Sequence, residues 1–213
     1  GQWINKAERY FLDFNGDGYI ETQRRWNPDA VDPSFTAGFY ADTNVTGTIF
    51  AQNISGNTSQ REFQIFCSSG NLSVVLGGIN HTLTLGIESG VGYWLIDFSG
   101  GNLTAYKDND FIYTRTAAIG NAREPLATIR IGARNNGTGG FGFGYTSYIS
   151  NVMFSSSSGL VLDMPINDNS ATIVDHSPTP QNGTLTIGTG SWDLVTTENY
   201  GREYFDFNGD GNI

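Results

Sequence analysis

The sequence predicts an all-β protein, an antiparallel two-sheet β-sandwich, and three observations carry this prediction. Apolar and polar residues alternate over short runs, as they do in half-buried strands. Turn-forming clusters of Gly, Asn and Ser separate these runs at intervals of roughly 8–12 residues, a spacing typical of sandwiches and barrels. No stretch shows the periodicity of an amphipathic helix. A chain of 213 residues is long enough to bury the core of one large β domain.

The strands are predicted in order along the chain. A first strand pair is expected at 10–21, around a glycine-rich turn, and a loop at 26–33, where two prolines interrupt regular structure. The further strands are predicted at 35–41, 47–51, 61–67, 72–76, 81–87, 93–98, 103–107, 111–113, 127–133, 148–154 and 160–164.

Composition excludes several classes of partner. The formal net charge is −10, with 11 Lys and Arg residues, so neither nucleic acid nor an anionic membrane surface would meet a basic patch. No apolar run approaches the roughly 18 residues of a membrane span, which argues against membrane insertion. The lone Cys67 excludes an internal disulfide and, in step with Phe63 and Ile65, is expected to be a buried thiol. An extracellular, cell-surface or virion location fits this composition.

One motif occurs twice, a domain length apart. Asp-Phe-Asn-Gly-Asp-Gly occupies 13–18 and returns at 206–211, and a Gly-x-Trp triplet precedes each copy. Such repeats are typical of tandem arrays. We therefore expect 1–8 to be a linker from a preceding unit, 9–195 to be the sandwich domain, and 196–213 to be a linker and the first strand of a following repeat or neighbouring subunit. Two alternatives stay open: the second copy belongs to this domain's own sheet, or a common turn recurs by chance.

Five segments carry a family resemblance. They are LDFNGDGYIE (12–21), FTAGFY (35–40), WLIDF with LTAYKD (94–98 and 103–108), IRIGAR (129–134) and YISNVMF (148–154). In this order they resemble the strands of the laminin-G-like, concanavalin A-like jelly-roll family, in its phage and bacterial surface-protein branch. Residues 163–184 resemble a trailing segment of many phage-borne members. The resemblance implies a jelly roll used for binding or adhesion, usually without catalysis; Asp108-Asn109 departs from the family's Asp-Gly turn.

The loop at 139–145 is a candidate carbohydrate site. Its glycines separate Phe141, Phe143 and Tyr145, and aromatic rings that stand clear of a surface can stack on the C–H face of a sugar. Asn136 and Arg134 would then donate hydrogen bonds to sugar hydroxyls. In the alternative interpretation, alternate aromatic residues of a glycine-rich strand enter the core.

Trp26 is a second candidate for the carbohydrate surface. It follows two arginines, Arg24 and Arg25, in a segment predicted to be a loop. A buried Trp that caps the sandwich is the alternative, and the sequence does not decide between them.

Asp13, Asn15 and Asp17 have the spacing of the first ligands of a calcium loop, followed by the glycine such loops need. A calcium loop also requires a carboxylate at its twelfth position, where this chain has Arg24. The alternative is a β-turn in which Asn and Gly supply positive φ angles. Calcium is therefore retained only as a possible cofactor.

Catalytic motifs are not found in the sequence. Jelly-roll glucanases place two glutamates in a Glu-x-Asp-x-x-Glu strand, a spacing that this chain lacks, and neither His81 nor His176 adjoins a nucleophile motif. We therefore predict a non-catalytic extracellular or virion-surface adhesion module that binds a glycan or host surface polysaccharide. The alternative is a structural repeat unit or subunit of a fibre, phage tail or surface array, which meets neighbouring copies through its repeated terminal strand.

Overall fold

The computed structural model describes residues 10–26, 33–53, 63–121, 127–135, 141–142, 144–157, 159–166, 170–186 and 191–194. Its strands are β1 (Tyr10–Asp13), β2 (Tyr19–Glu21), β3 (Phe35–Asp42), β4 (Gly47–Gln52), β5 (Phe63–Ser68), β6 (Asn71–Leu76), β7 (Ile79–Leu83), β8 (Val91–Ser99), β9 (Asn102–Lys107), β10 (Asp110–Thr116), β11 (Ile129–Ile131), β12 (Arg134–Asn135), β13 (Phe141–Gly142), β14 (Tyr148–Ser156), β15 (Gly159–Met164), β16 (Thr172–Ile173), β17 (Gly183–Thr186) and β18 (Ser191–Leu194).

The described residues form two eight-stranded antiparallel sheets, which confirms the predicted fold class. The front sheet has the order β10-β9-β8-β3-β14-β1-β18, with β15 also paired to β14. The back sheet has the order β16-β17-β2-β11-β4-β5-β6-β7, and β12 and β13 form a separate pair. Within the described residues the only helical element is a 3-10 turn, Gly86–Glu88. No helix among those residues is long and apolar enough to cross a membrane.

The inward side chains of the two sheets meet in an aromatic core. Phe35 of the front sheet packs against Phe63 of the back sheet, with ring centroids 5.2 Å apart, and stacks on Phe154 at 5.5 Å. These rings are almost fully buried, as is Cys67. Burial raises the pKa of the Cys67 thiol, and the expected buried thiol is confirmed.

The first two strands do not form the strand pair expected from the sequence. β1 pairs with β14 and β18 in the front sheet, whereas β2 pairs with β11 and β17 in the back sheet. The chain changes sheets at a turn in which Asn15 and Gly16 have φ angles of 45° and 83°. The amide of Asp17 closes this turn on the carbonyl of Phe14 at 3.2 Å. Alternation of apolar and polar residues predicts a strand but not the strand with which it pairs. The predicted pairing of the first two strands is wrong for this reason.

The predicted strand at 81–87 ends early. β7 stops at Leu83, and Gly86, with a φ of 60°, begins the 3-10 turn. The side chain of Ile87 is therefore 97% exposed instead of facing the core. Alternation continued in the sequence past the point where the backbone turns.

Two side chains join the sheets at the edge where β7 and β10 approach each other. Arg115 donates from Nη1 to the carbonyl of Thr82 at 2.8 Å. Nε2 of His81 lies 2.8 Å from the carbonyl of Ala118, so this nitrogen carries the proton and donates. His81 therefore has a structural role at this edge.

Candidate functional site

Tyr145 lies in the core and not on a sugar platform. Its side chain is completely buried. Its hydroxyl donates to the carbonyl of Asp42 at 2.7 Å and accepts from the Asp42 amide at 2.8 Å. The preceding Gly144 packs directly on the backbone of Gly16, with no room for a Cβ. These contacts correct the carbohydrate-binding role proposed for Tyr145 and match the alternative in which aromatic residues of this segment enter the core.

Trp26 is also a core residue, 1% exposed. Its ring meets Phe35 and Phe63 edge-on, with centroids 5.2 Å away in both cases. Gln52 holds its backbone through two hydrogen bonds, from the Trp26 amide at 2.6 Å and to its carbonyl at 2.8 Å. The surface role expected for Trp26 is therefore wrong, because the ring closes the aromatic core.

The other residues of the predicted carbohydrate loop are described only in part. Arg134 is half-buried in β12, opposite Gly142, and burial lowers the pKa of its guanidinium. Phe141 lies in β13 opposite Asn135, but its side chain is outside the described residues, as are Asn136 and Phe143. Their carbohydrate role stays a prediction.

The predicted calcium motif is a turn between sheets. Asp13 ends β1, Asn15 is exposed, and Asp17 follows the two positive φ angles. Asn-Gly supplies those angles without strain, so the turn has a physical explanation that needs no metal. In the portion of the chain that is described, no three His, Cys, Asp or Glu side chains cluster as a metal site requires.

The front sheet has an outward surface that the sequence revealed only in part. The strand register places Asp163, Met153, Gly38, Leu95, Tyr106 and Phe111 side by side across β15, β14, β3, β8, β9 and β10. At roughly 4.8 Å per strand this line is about 24 Å long. We call it, together with the neighbouring cross-strand pair of Tyr40 and Tyr93, the aromatic face.

An exposed pair of rings forms one end of the aromatic face. Phe111 is 59% exposed, and Tyr106 is half-buried beside it. Their centroids are 6.1 Å apart with the planes at 77°, an edge-to-face pair. Exposed aromatic rings on adjacent strands provide a rigid apolar surface, because a sheet fixes their backbones and each side chain has two rotatable bonds.

Tyr93 covers the centre of the aromatic face. Its hydroxyl lies over Gly38, so close that a Cβ on Gly38 would clash with it. Burial raises the pKa of Tyr93, and the negative charge of Asp163 raises it further. The phenol is therefore kept protonated and remains a hydrogen-bond donor beside a carboxylate acceptor.

A row of hydroxyl and carboxylate groups runs beside the line from Asp163 to Phe111. Thr36 donates from Oγ1 to Oδ1 of Asp97 at 2.8 Å. In the next two strands the hydroxyl oxygens of Thr104 and Thr114 lie 3.0 Å apart. The face thus has apolar rings bordered by polar groups. A sugar ring has the matching surfaces, an apolar C–H face and polar hydroxyls.

A buried carboxylate, Asp175, fixes the position of Asp163 on this face. Asp175 accepts from the Asp163 amide at 3.0 Å and from the Gln181 amide at 2.9 Å. The amide of His176 donates to the Asp163 carbonyl at 2.7 Å. Nη2 of Arg24 lies 3.4 Å from Asp175. The segment after β15 is thereby anchored, which holds Asp163 in register with Met153.

The sequence contained a partial signal for this face. In β8, Tyr93, Leu95 and Asp97 alternate with buried residues, so their outward direction could be predicted. What could not be predicted is that residues from 38 to 163 come together, because pairing between distant strands leaves no local spacing.

Comparisons with known proteins support the fold. Neither models of known families nor curated proteins match the sequence. Among solved structures, a candidate carbohydrate-binding protein from Bacteroides ovatus is similar with a TM-score of 0.62 and 14% identity, over 92% of this chain and 62% of that one. The chain thus spans less than two thirds of that protein.

Two further solved structures show a weaker likeness. The enzymatically active domain of tailspike protein 2 from bacteriophage CBA120 has a TM-score of 0.46 at 13% identity, over 73% of this chain and 29% of that one. The CBM40 domain of a Ruminococcus gnavus sialidase, bound to α2,3-sialyllactose, has a TM-score of 0.43 at 11% identity, over 94% and 95%. The conclusion about fold depends on the Bacteroides ovatus structure, because these two TM-scores are low.

Proposed function

We propose that the chain is a non-catalytic glycan-binding module and that the aromatic face is its binding surface. The observation that carries the proposal is the edge-to-face pair of exposed Phe111 and half-buried Tyr106, beside a row of hydroxyls that includes the carboxylate of Asp97. Glycans bind through stacking of their C–H faces and hydrogen bonds from their hydroxyls, and this face supplies both. The similar protein from Bacteroides ovatus, described as a candidate carbohydrate binder, supports the proposal by analogy of fold.

The same proposal places the module outside the cell or on a virion, where surface polysaccharides are found. The proposal includes no catalytic step: on the aromatic face, the carboxylates of Asp97 and Asp163 only accept hydrogen bonds from the glycan. Calcium has no assigned role at this face, so binding is expected to be the same with calcium and with a chelator.

Removal of one exposed ring tests the proposal. Phe111→Ala should weaken binding on a glycan array by roughly fivefold to tenfold, since an aromatic contact contributes about 1 kcal/mol. The melting temperature should change little, because the ring is mostly in solvent. Ile87→Ala is the control: it removes an apolar side chain away from the face that is even more exposed than Phe111, 97% against 59%. Equal affinity of the Phe111→Ala variant and the wild type would contradict the assigned surface.

A second candidate function is assembly into an array of copies. β18, the last strand in the order of the front sheet, pairs with β1 through Leu12 and Trp192. Trp192 belongs to the Gly-x-Trp triplet that precedes the second copy of the β1 motif. The first strand of a following unit would therefore have nearly the same sequence as β1, the strand with which β18 already pairs. Residues 195–213 lie outside the described residues.

Deletion of 203–213 tests this second function. If these residues belong to a neighbour, the truncated chain should keep its melting temperature and lose concentration-dependent association in sedimentation experiments. A drop of several degrees would instead show that a strand of this domain's own sheet was removed, since about 1 kcal/mol shifts the melting temperature of a chain this size by roughly 2–4 °C.

A further inference from the structure

Among the described strands that form it, the aromatic face has carboxylates and no basic side chain directed toward it. The six strands that form it contain four Asp residues and two basic residues, Lys107 and Arg115. Of the four, Asp163 forms one end of the line of residues across the face, in register with Met153, and Asp97 lies beside that line, in register with Thr36.

Both basic residues of these strands are directed away from the face. Lys107 places Nζ 5.4 Å from the centroid of the buried Trp94 ring and donates to the carbonyl of Glu88 at 2.9 Å. Arg115 reaches to the back sheet, where it donates to Thr82. These strands therefore contribute negative charge to the face, and the net charge of the whole chain, −10, has the same sign.

We propose that this face selects neutral, hydroxyl-rich glycans and rejects glycans that carry sialic or uronic acids. The inference rests on the proposed function and names the ligand class of the same site. Sugar hydroxyls donate to the carboxylates of Asp97 and Asp163, which accept strongly because they are charged. A carboxylate on the ligand meets like charges, and the six described strands direct no cation toward it; such juxtaposition reduces affinity.

The test compares neutral oligosaccharides with their acidic counterparts on one array. Each neutral oligosaccharide is printed beside the same oligosaccharide capped with sialic acid or carrying a uronic acid in place of one hexose. We expect binding among the neutral members, weaker by roughly tenfold or more when the acidic group is present. The difference should shrink in about 1 M salt, where the screening length falls to roughly 3 Å.

Charge-neutralising variants assign the effect to the face. Asp97→Asn combined with Asp163→Asn should bring the acidic counterparts to within roughly threefold of the neutral ones, because the repulsion is removed and the rings remain. Glu88→Gln, which removes a carboxylate from the turn after β7, is the matched control and should leave the discrimination unchanged.

The possible outcomes separate the two levels of the proposal. Acidic glycans that bind as well as or better than neutral ones would overturn the inference and leave the glycan-binding function standing. Binding to neither class at millimolar concentrations would overturn both. Discrimination that persists unchanged in the double variant with wild-type melting temperature would also overturn the inference, because the two carboxylates would not be its cause.

Discussion

At the scale of single residues, Asp175 shows how one buried charge organises a segment that has little regular structure. Its carboxylate is held by the amides of Asp163, Ser177 and Gln181 and by the hydroxyl of Ser177. Burial alone would raise the pKa of Asp175, but these hydrogen bonds outweigh it and the pKa is lowered. Residues 163–184 were identified from the sequence as a trailing segment; that Asp175 is its centre was not, because a buried carboxylate has no sequence signature.

The lowered pKa makes a prediction about stability and pH. A carboxylate whose pKa is lower in the folded state stabilises the protein above its unfolded pKa, about 3.9, and loses that contribution as the pH falls through the folded value. Asp175→Asn should therefore lower the free energy of unfolding at pH 7 by about 1–3 kcal/mol. The difference from wild type should diminish below about pH 4. Urea denaturation at a series of pH values measures this, and a difference that is constant down to pH 2 would contradict it.

At the scale of elements, the hairpin of β9 and β10 carries both exposed rings of the aromatic face on a turn that departs from the expected chemistry. Asp108 and Asn109 take φ angles of 52° and 76°, where the resembling family has Asp-Gly. The Asp108 side chain accepts from the amide of Tyr93 at 3.0 Å. Asn is among the few residues that tolerate positive φ, which explains why the departure leaves the hairpin intact.

Substitution of Asn109 tests that explanation. Asn109→Ala should destabilise the protein by about 1 kcal/mol, because Ala has a Cβ and no polar side chain to offset the positive φ. Asn109→Gly is the control and should be close to wild type, since Gly adopts this conformation freely. Chemical denaturation measures both. Equal loss in the two variants would mean that the Asn109 side chain, not its backbone angle, is what stabilises the turn.

The strand patterns were largely recoverable from the sequence and the pairings were not. β3, β4, β6, β8, β9, β14 and β15 were each predicted to within two residues at both ends. In β3, the alternation of Phe35, Ala37, Phe39 and Ala41 predicted the buried side chains correctly. The partners of β1 and β2, by contrast, are strands of different sheets, and no local pattern contains that information.

At the scale of the whole molecule, aromatic residues between the two sheets have a structural role, and aromatic residues on the outward surface of the front sheet are candidates for function. Trp26 and Tyr145, singled out for their unusual sequence surroundings, fill the core. Phe111 and Tyr106, in ordinary alternating strands, are exposed and half-buried. Glycine-rich surroundings predicted exposure wrongly, because the glycines near Tyr145 allow close backbone packing. A site formed by six strands becomes visible only when the sheet order is known.

The pairing of β1 with β18 has a mechanical consequence. The register joins Tyr10 to Leu194 and Asp13 to Ser191, so the first residue of β1 lies beside the last residue of β18. Tension applied there would pull at right angles to the two strands and break their hydrogen bonds one pair after another, and this peeling needs less force than sliding strands along each other. A ligand bound to the aromatic face, which is centred on β3, β8 and β9, does not contact the pair of β1 and β18. Under such tension we expect β1 and β18 to separate before the aromatic face releases the glycan.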